Sequence, residues 1–317
     1  MNNFAWVEPK SLEDASNALK SGGAALAGGI ELLCLLKDSL LEPPSVVNLK
    51  SLPGLREIQV GERVEIGALA RLVDIAEHAQ IAQEYRVLAQ AAESVGSPQI
   101  RNVGTLGGNL CQRPRCWYFR DAAVHCLKKG GPKCYAVGGD NEYHAILGGG
   151  PCYIVHPSDL APALITLEAT VHTNLRELPI EQFFRLPSQR LDHETALEAG
   201  EIVTSVSFPA DRKTWKSYYF KMRERDSFDW ALSSCAVALK MNGNRIEDAR
   251  VALGGVAPIP WRSKEAEAAL RGKDLSEAVA EAAGRAAVAM AEPMSENRYK
   301  VSLTANVVKI AILEAAK

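Results

Sequence analysis

Apolar residues recur at helical spacing from Leu12 through Ala15 to Leu19, directly after Pro9 and Ser11. Ser11 is the natural N-cap, Asp14 stands near the reciprocal capping position, and Gly22-Gly23 supplies the stop. Residues 24–27 then read as a short buried strand, which Gly28-Gly29 turns into a helix at Glu31-Leu32-Leu33. Residues 46–49 predict a further strand and Pro53-Gly54 a turn. Residues 57–69 alternate apolar and polar around Gly61-Glu62, as a hairpin does. Residues 75–95 carry one long, alanine-rich helical period. From 111 to 152 the periodicity vanishes, which predicts an irregular insertion organised by whatever it binds. Regular structure is expected again at 153–155, in a helix over 160–167, and in strands over 170–178 and 202–208. A polar stretch at 209–213 marks a domain boundary. Beyond it, 215–223 and 231–241 predict strands, and Asn242-Gly243 a hairpin turn between 236–241 and 249–253. The alanine-rich tail predicts helices over 276–291 and 302–316.

Composition narrows the class. At 317 residues, two or three domains are expected, and 47% hydrophobic with 23% charged residues is ordinary for a globular protein. A net charge of −2 with no basic run argues against nucleic-acid binding. No apolar stretch reaches the roughly 20 residues that span a bilayer, and the N-terminus lacks the basic-then-apolar order of a signal peptide. A cytoplasmic location follows as the expectation. There, clustered cysteines are more often metal ligands than disulfides.

Two features carry chemistry. Ala27-Gly28-Gly29-Ile30-Glu31-Leu32 and Thr105-Leu106-Gly107-Gly108-Asn109 are glycine turns leading into apolar residues. Glycines let backbone amides approach phosphate oxygens, so two such turns can clasp one dinucleotide, helped by the polar 97–102 segment. Neither turn is the GxGxxG fingerprint of NAD-binding folds. The second turn runs straight into five of the seven cysteines: Cys111, Cys116, Cys126, Cys134 and Cys152. Their gaps of four, nine, seven and seventeen residues lack the paired CxxC knuckles of zinc ribbons and suit a loop wrapping an iron–sulfur cube. His125 and His144 keep a zinc alternative open. Cys34 and Cys235 sit in apolar periodic segments and are expected in the core. Asp159 is either a helix cap or a carboxylate for a cofactor hydroxyl, and Lys221, Arg223 and Arg225 are expected on one strand face.

On these motifs, together with Pro157-Ser158-Asp159 and Lys221 in the same order, the chain resembles the FAD-binding medium subunits of the molybdenum hydroxylases, the xanthine dehydrogenase and carbon monoxide dehydrogenase family. The resemblance implies an α+β architecture. A vanillyl-alcohol-oxidase-type (PCMH-type) FAD-binding fold of two α+β subdomains, at 1–56 and 57–212, precedes a C-terminal α+β domain at 213–317 with a small antiparallel sheet. It implies that Ala25, Leu26, Ala27, Gly28, Gly29, Ile30, Glu31 and Leu32, with Thr105, Leu106, Gly107, Gly108 and Asn109, wrap the FAD diphosphate. Asp159 would bind a polar part of the cofactor, Val203 would contact it, and Lys221 would lie near the flavin. Ile30 departs from the Thr, Gln or His of many relatives, which removes a side-chain hydrogen bond. The insertion is similar to that of 4-hydroxybenzoyl-CoA reductases and bacterial aldehyde oxidoreductases, whose flavin subunit carries an extra [4Fe–4S] cluster. That likeness implies Cys116, Cys126, Cys134 and Cys152 as ligands, with Cys111 in reserve.

The function implied is an electron-transferring flavin subunit with no catalytic residue of its own. It would work with a small [2Fe–2S] subunit and a large molybdopterin subunit, and pass electrons to or from a ferredoxin-like or NAD partner. A self-contained flavin oxidase and a zinc-stabilised scaffold are the rival readings.

Overall fold

Strand pairing divides the chain among three sheets. In the computed structural model, which describes residues 1–226 and 228–317, the first sheet is small and parallel. It is built from β1 (Ala5–Val7), α1 (Leu12–Lys20), β2 (Ala24–Leu26), α2 (Ile30–Lys37) and β3 (Ser45–Asn48), in strand order β1-β3-β2. Ser11 caps α1 as its sequence position suggests: Oγ accepts from the Asp14 amide at 3.0 Å, and the Asp14 carboxylate accepts from the Lys10 amide at 3.2 Å. α2 instead starts at Gly29, whose φ of +82° is the left-handed region that a side chain would strain.

The second sheet is antiparallel, with strands in the order β4 (Ile58–Val60), β5 (Arg63–Gly67), β8 (Val203–Pro209), β6 (Thr170–Thr173), β7 (Glu177–Pro179). β4 (Ile58–Val60) and β5 (Arg63–Gly67) form the expected hairpin. The single helix expected over 75–95 is three: α3 (Leu72–Glu77), α4 (Ala79–Glu84) and α5 (Arg86–Glu93). The breaks fall at His78, whose ring accepts from the Ile81 amide, and at Tyr85. Tyr85 leaves helical geometry to bury its ring edge-on against Phe208, 5.1 Å between centroids, and to donate its hydroxyl to the Ala210 carbonyl. α6 (Pro98–Val103) and α7 (Leu106–Leu110) follow, so the second glycine turn is itself the opening of a helix. The insertion is irregular apart from short helical turns, including α8 (Trp117–Arg120).

Residues 153–155 form no strand; Ala145 donates to the Tyr153 carbonyl and His156 to Ala257, so the segment bonds singly to two different loops. α9 (Leu160–Thr166) is as expected. The strand expected over 170–178 is a hairpin of β6 (Thr170–Thr173) and β7 (Glu177–Pro179), turned because Thr173 Oγ1 accepts from the Leu175 and Arg176 amides. α10 (Ile180–Phe183) and β8 (Val203–Pro209) complete this unit.

The third sheet, β12-β11-β10-β9, is antiparallel: β9 (Lys216–Met222), β10 (Ser233–Asn242), β11 (Arg245–Gly254) and β12 (Trp261–Arg262), with α11 (Lys264–Leu270), α12 (Glu277–Ala287) and α13 (Tyr299–Ala316) against it. Both its faces are covered. Cys235, Val237, Leu239, Val251 and Leu253 point into the core under the helices, while Ala236 and Ala252 pack on the core of the second sheet. That is why β10 reads as a continuous apolar run.

α13 also reaches the insertion. Lys300 is fully buried, and its ammonium donates to the carbonyls of Tyr143 (3.0 Å), His144 (3.3 Å) and Gly255 (2.7 Å). Burial draws its pKa down to about 7. Lys300→Met would leave three carbonyls without this donor and should lower unfolding stability by about 2–4 kcal/mol. A thermal melt checks this, and the melting temperature should fall while FAD binding persists.

Candidate functional site

The two glycine turns meet. A Cβ on Gly28 would lie 2.2 Å from the Val103 carbonyl oxygen and 3.1 Å from the Gly104 Cα, so only glycine lets β2–α2 close on the α6–α7 junction. Between them opens a cleft of about 730 Å³. Thr105 caps α7, its Oγ1 accepting from the Gly108 amide at 3.2 Å, while no side chain caps the first turn of α2. A Cβ on Gly108 would touch nothing within 4 Å except that Thr105 Oγ1, at 3.0 Å. The cleft floor is thus made of uncrowded backbone, the surface a diphosphate needs.

Of the residues expected there, Ala25, Ala27, Gly28, Gly29, Ile30, Glu31, Leu32, Thr105, Gly108 and Asn109 line the cleft. Leu26 and Leu106 turn inward as buried core, and Gly107 packs beneath, its Cβ position 3.0 Å from Ala68 Cβ. Val203 is buried at the start of β8 and lines neither this cleft nor its neighbour.

A second pocket of about 230 Å³ adjoins the cleft, with Arg115 and Trp230 in both walls. Asp159 lines it and is buried. Its carboxylate does not cap α9; Ser158 Oγ does so, accepting from the Ala161 amide at 3.0 Å. Ser158 also donates to Asn109 Oδ1 at 2.5 Å, tying this loop to the second glycine turn. Asp159 accepts from Tyr219 (2.6 Å) and from Lys221 (2.8 Å), a buried pair whose ammonium also reaches the Ser94 carbonyl. Lys221 therefore approaches the site through Asp159. β9 ends at Met222, so Arg223 and Arg225 do not continue its face; Arg225 pairs with Asp229 at 3.0 Å instead.

Cys116, Cys126, Cys134 and Cys152 line one small internal pocket together with His144 and Lys128. No disulfide joins them. Cys116 Sγ lies 3.3 Å from His144 Nε2. Burial pushes the Cys116 thiol up to about 11 and the His144 imidazole down to about 4. Cys134 and Cys152 share a hydrogen bond, which lowers the first to about 6 and raises the second. Among the described residues, no group of three or more His, Cys, Asp or Glu side chains is arranged as a site for a metal ion. Cys111 lies instead in the wall of the glycine cleft, and His125 is exposed. Cys235 is buried as expected, whereas Cys34 is exposed, because the face of α2 that carries it borders the cleft.

Residues 2–211 match the family described as the FAD binding domain in molybdopterin dehydrogenase, and residues 218–315 the CO dehydrogenase flavoprotein C-terminal domain. The chain belongs to the FAD-binding medium subunits of the molybdenum hydroxylase family. It is 36% identical over 313 residues to the aldehyde oxidoreductase FAD-binding subunit PaoB of Escherichia coli, covering 96% of this chain and 95% of that one. It is 28% identical to the carbon monoxide dehydrogenase medium chain of Hydrogenophaga pseudoflava, covering 98% and 96%. The solved carbon monoxide dehydrogenase of that organism superposes with a TM-score of 0.78 at 27% identity over 99% of this chain and 98% of that one. Quinoline 2-oxidoreductase from Pseudomonas putida 86 gives 0.77 at 25%, over 99% and 97%.

As a medium subunit the chain binds FAD and is part of an oxidoreductase, with the two-part FAD-binding fold and C-terminal domain that the sequence implied. Among the described residues, no helix is long and apolar enough to cross a membrane. Sequence reasoning missed Arg115, Arg120, Gln112 and Trp230 in the cleft wall. The two arginines stand in the aperiodic 111–152 insertion, where no spacing indicates which way a side chain points.

The glycines separate folding from binding. Gly28→Ala should drive a Cβ into backbone and cost native structure, seen by circular dichroism and a lowered melting temperature. Gly108→Val should leave the fold intact while purified flavin content drops at least about tenfold, since its added carbons project into the cleft. Full flavin in a folded Gly108→Val protein would show that the cleft is misassigned.

Proposed function

We propose that the chain is the electron-transferring subunit of a molybdenum hydroxylase complex, with FAD across the two glycine turns and a [4Fe–4S] cluster in the cysteine pocket. One observation carries the reading: the glycine cleft, the second pocket and the four-cysteine pocket follow one another through shared walls. Arg115 and Trp230 stand at the first junction, Cys116 and His144 at the second. FAD supplies one- and two-electron redox chemistry when bound. This chain's residues supply the placement. The turns at 25–32 and 105–109 would hold the diphosphate. Asp159, oriented by Tyr219 and Lys221, would present a buried carboxylate to a cofactor hydroxyl, and Val203 would support the site from β8.

Cys116, Cys126, Cys134 and Cys152 would ligate the cluster. A cube is larger than a single ion, so its thiolates stand further apart than the donors of a one-metal site, which is compatible with four thiols around one pocket. The boundaries we propose are 1–56, 57–212 and 213–317. Substrate would react on a large molybdopterin subunit, with a small [2Fe–2S] subunit between, in the cytoplasm. Likeness to an aldehyde oxidoreductase subunit favours an aldehyde as that substrate. The outside electron partner would be ferredoxin-like or NAD.

An absorption spectrum with metal analysis tests this. Flavin bands on a broad shoulder near about 400 nm, with about four irons per FAD, are expected for a [4Fe–4S] flavoprotein. Serine at Cys116, Cys126, Cys134 or Cys152 should each lower the iron, and Cys111→Ser should not. Zinc in place of iron, or iron lost in Cys111→Ser but kept in Cys152→Ser, would refute the ligand set.

A further inference from the structure

Neither glycine turn contains a cation, yet the cleft between them holds two guanidinium groups, and both come from the insertion. Arg115 and Arg120 converge on the Glu31 carboxylate at the start of α2: Arg120 Nη2 is 2.6 Å from Oε1, and Arg115 Nη1 pairs with Oε2. The Arg113 amide also donates to Glu31 Oε1 at 3.2 Å. Two cations on one anion leave a surplus positive charge. Among the described residues, the other acceptors hydrogen-bonded to them are neutral: the Pro114 and Arg113 carbonyls and Gln112 Oε1. These fix direction without cancelling charge. The side chains are only 21% and 17% exposed, so water screens that surplus incompletely. Arg115 further lies 4.5 Å from the Trp230 ring centroid, at the point where the cleft meets the second pocket.

A partly buried cation without its own carboxylate costs stability until an anion arrives. The ligand of this cleft brings one, a diphosphate. We propose that Arg115 and Arg120 are the counter-charges of the FAD diphosphate, and that Glu31 is the positioning residue that aims them. The inference rests on FAD occupying the glycine cleft and is independent of any cluster. It makes the insertion part of the flavin site.

The test titrates FAD into the flavin-free full chain, read by flavin fluorescence, at low and high salt. Arg115→Gln and Arg120→Gln should each weaken FAD about tenfold at low salt, and the deficit should shrink at high salt as screening replaces the lost charge. Arg→Lys at either position should recover part of the loss. Unchanged FAD affinity, or an equal loss at both salts with no recovery by lysine, would overturn the proposal. Should a glutamine variant not fold, competition in the wild-type chain decides. ADP should displace FAD far better than adenosine, with an advantage that falls as salt rises; equal competition would overturn it. A wild-type chain that binds no FAD at all would instead refute the cleft assignment.

Discussion

The closeness of Gly28 to the Val103 carbonyl is the constraint on which the rest of the site depends. Any side chain at that position would occupy backbone, so the small parallel sheet and the α6–α7 segment could not meet. Their meeting makes one cleft from two turns about seventy residues apart. It also sets where the insertion begins, because Cys111 follows α7 directly and Gln112 donates back to the Asn109 carbonyl at 2.8 Å. A steric requirement at one glycine thereby fixes the origin of a segment with little regular structure of its own.

The insertion is then held by buried polar contacts rather than by ladders. Glu31 holds its start, and Glu194 ties that start to the middle, through Arg113 at 2.8 Å and the buried Lys128 at 2.5 Å. Asn141 exchanges hydrogen bonds with Glu296, and Lys300 collects the carbonyls of Tyr143 and His144. Three different parts of the fold therefore grip it, and each grip is an ion pair or a charge-assisted bond that is expensive to leave half-made. This explains how an irregular loop can present four thiols to one pocket.

Much of this was legible in the sequence where the signal is local. The Ser11 cap, the Gly61-Glu62 hairpin and the Asn242-Gly243 turn are set by neighbours within a few residues, and the structure has them. The break at Tyr85 was not legible, because its cause is Phe208 and the Ala210 carbonyl, more than a hundred residues away. Cys34 looked like core by spacing alone, but the periodicity of a short apolar helix does not say which face is covered. At Asp159 the sequence left a choice between cap and carboxylate. Ser158 takes the cap, and Tyr219 and Lys221 hold the carboxylate, two partners that only the third sheet brings near. The Glu31 cluster was hidden for the same reason, since its partners lie over eighty residues downstream.

A single FAD site built from both glycine turns and the start of the insertion would respond to its ligand as one unit. Hydrogen exchange of the full chain with and without FAD measures this most directly. Binding should slow exchange together in 27–33, 104–111 and 112–120, because one ligand would bridge all three segments. Protection confined to one glycine turn, with 112–120 unchanged, would contradict a single bridging site.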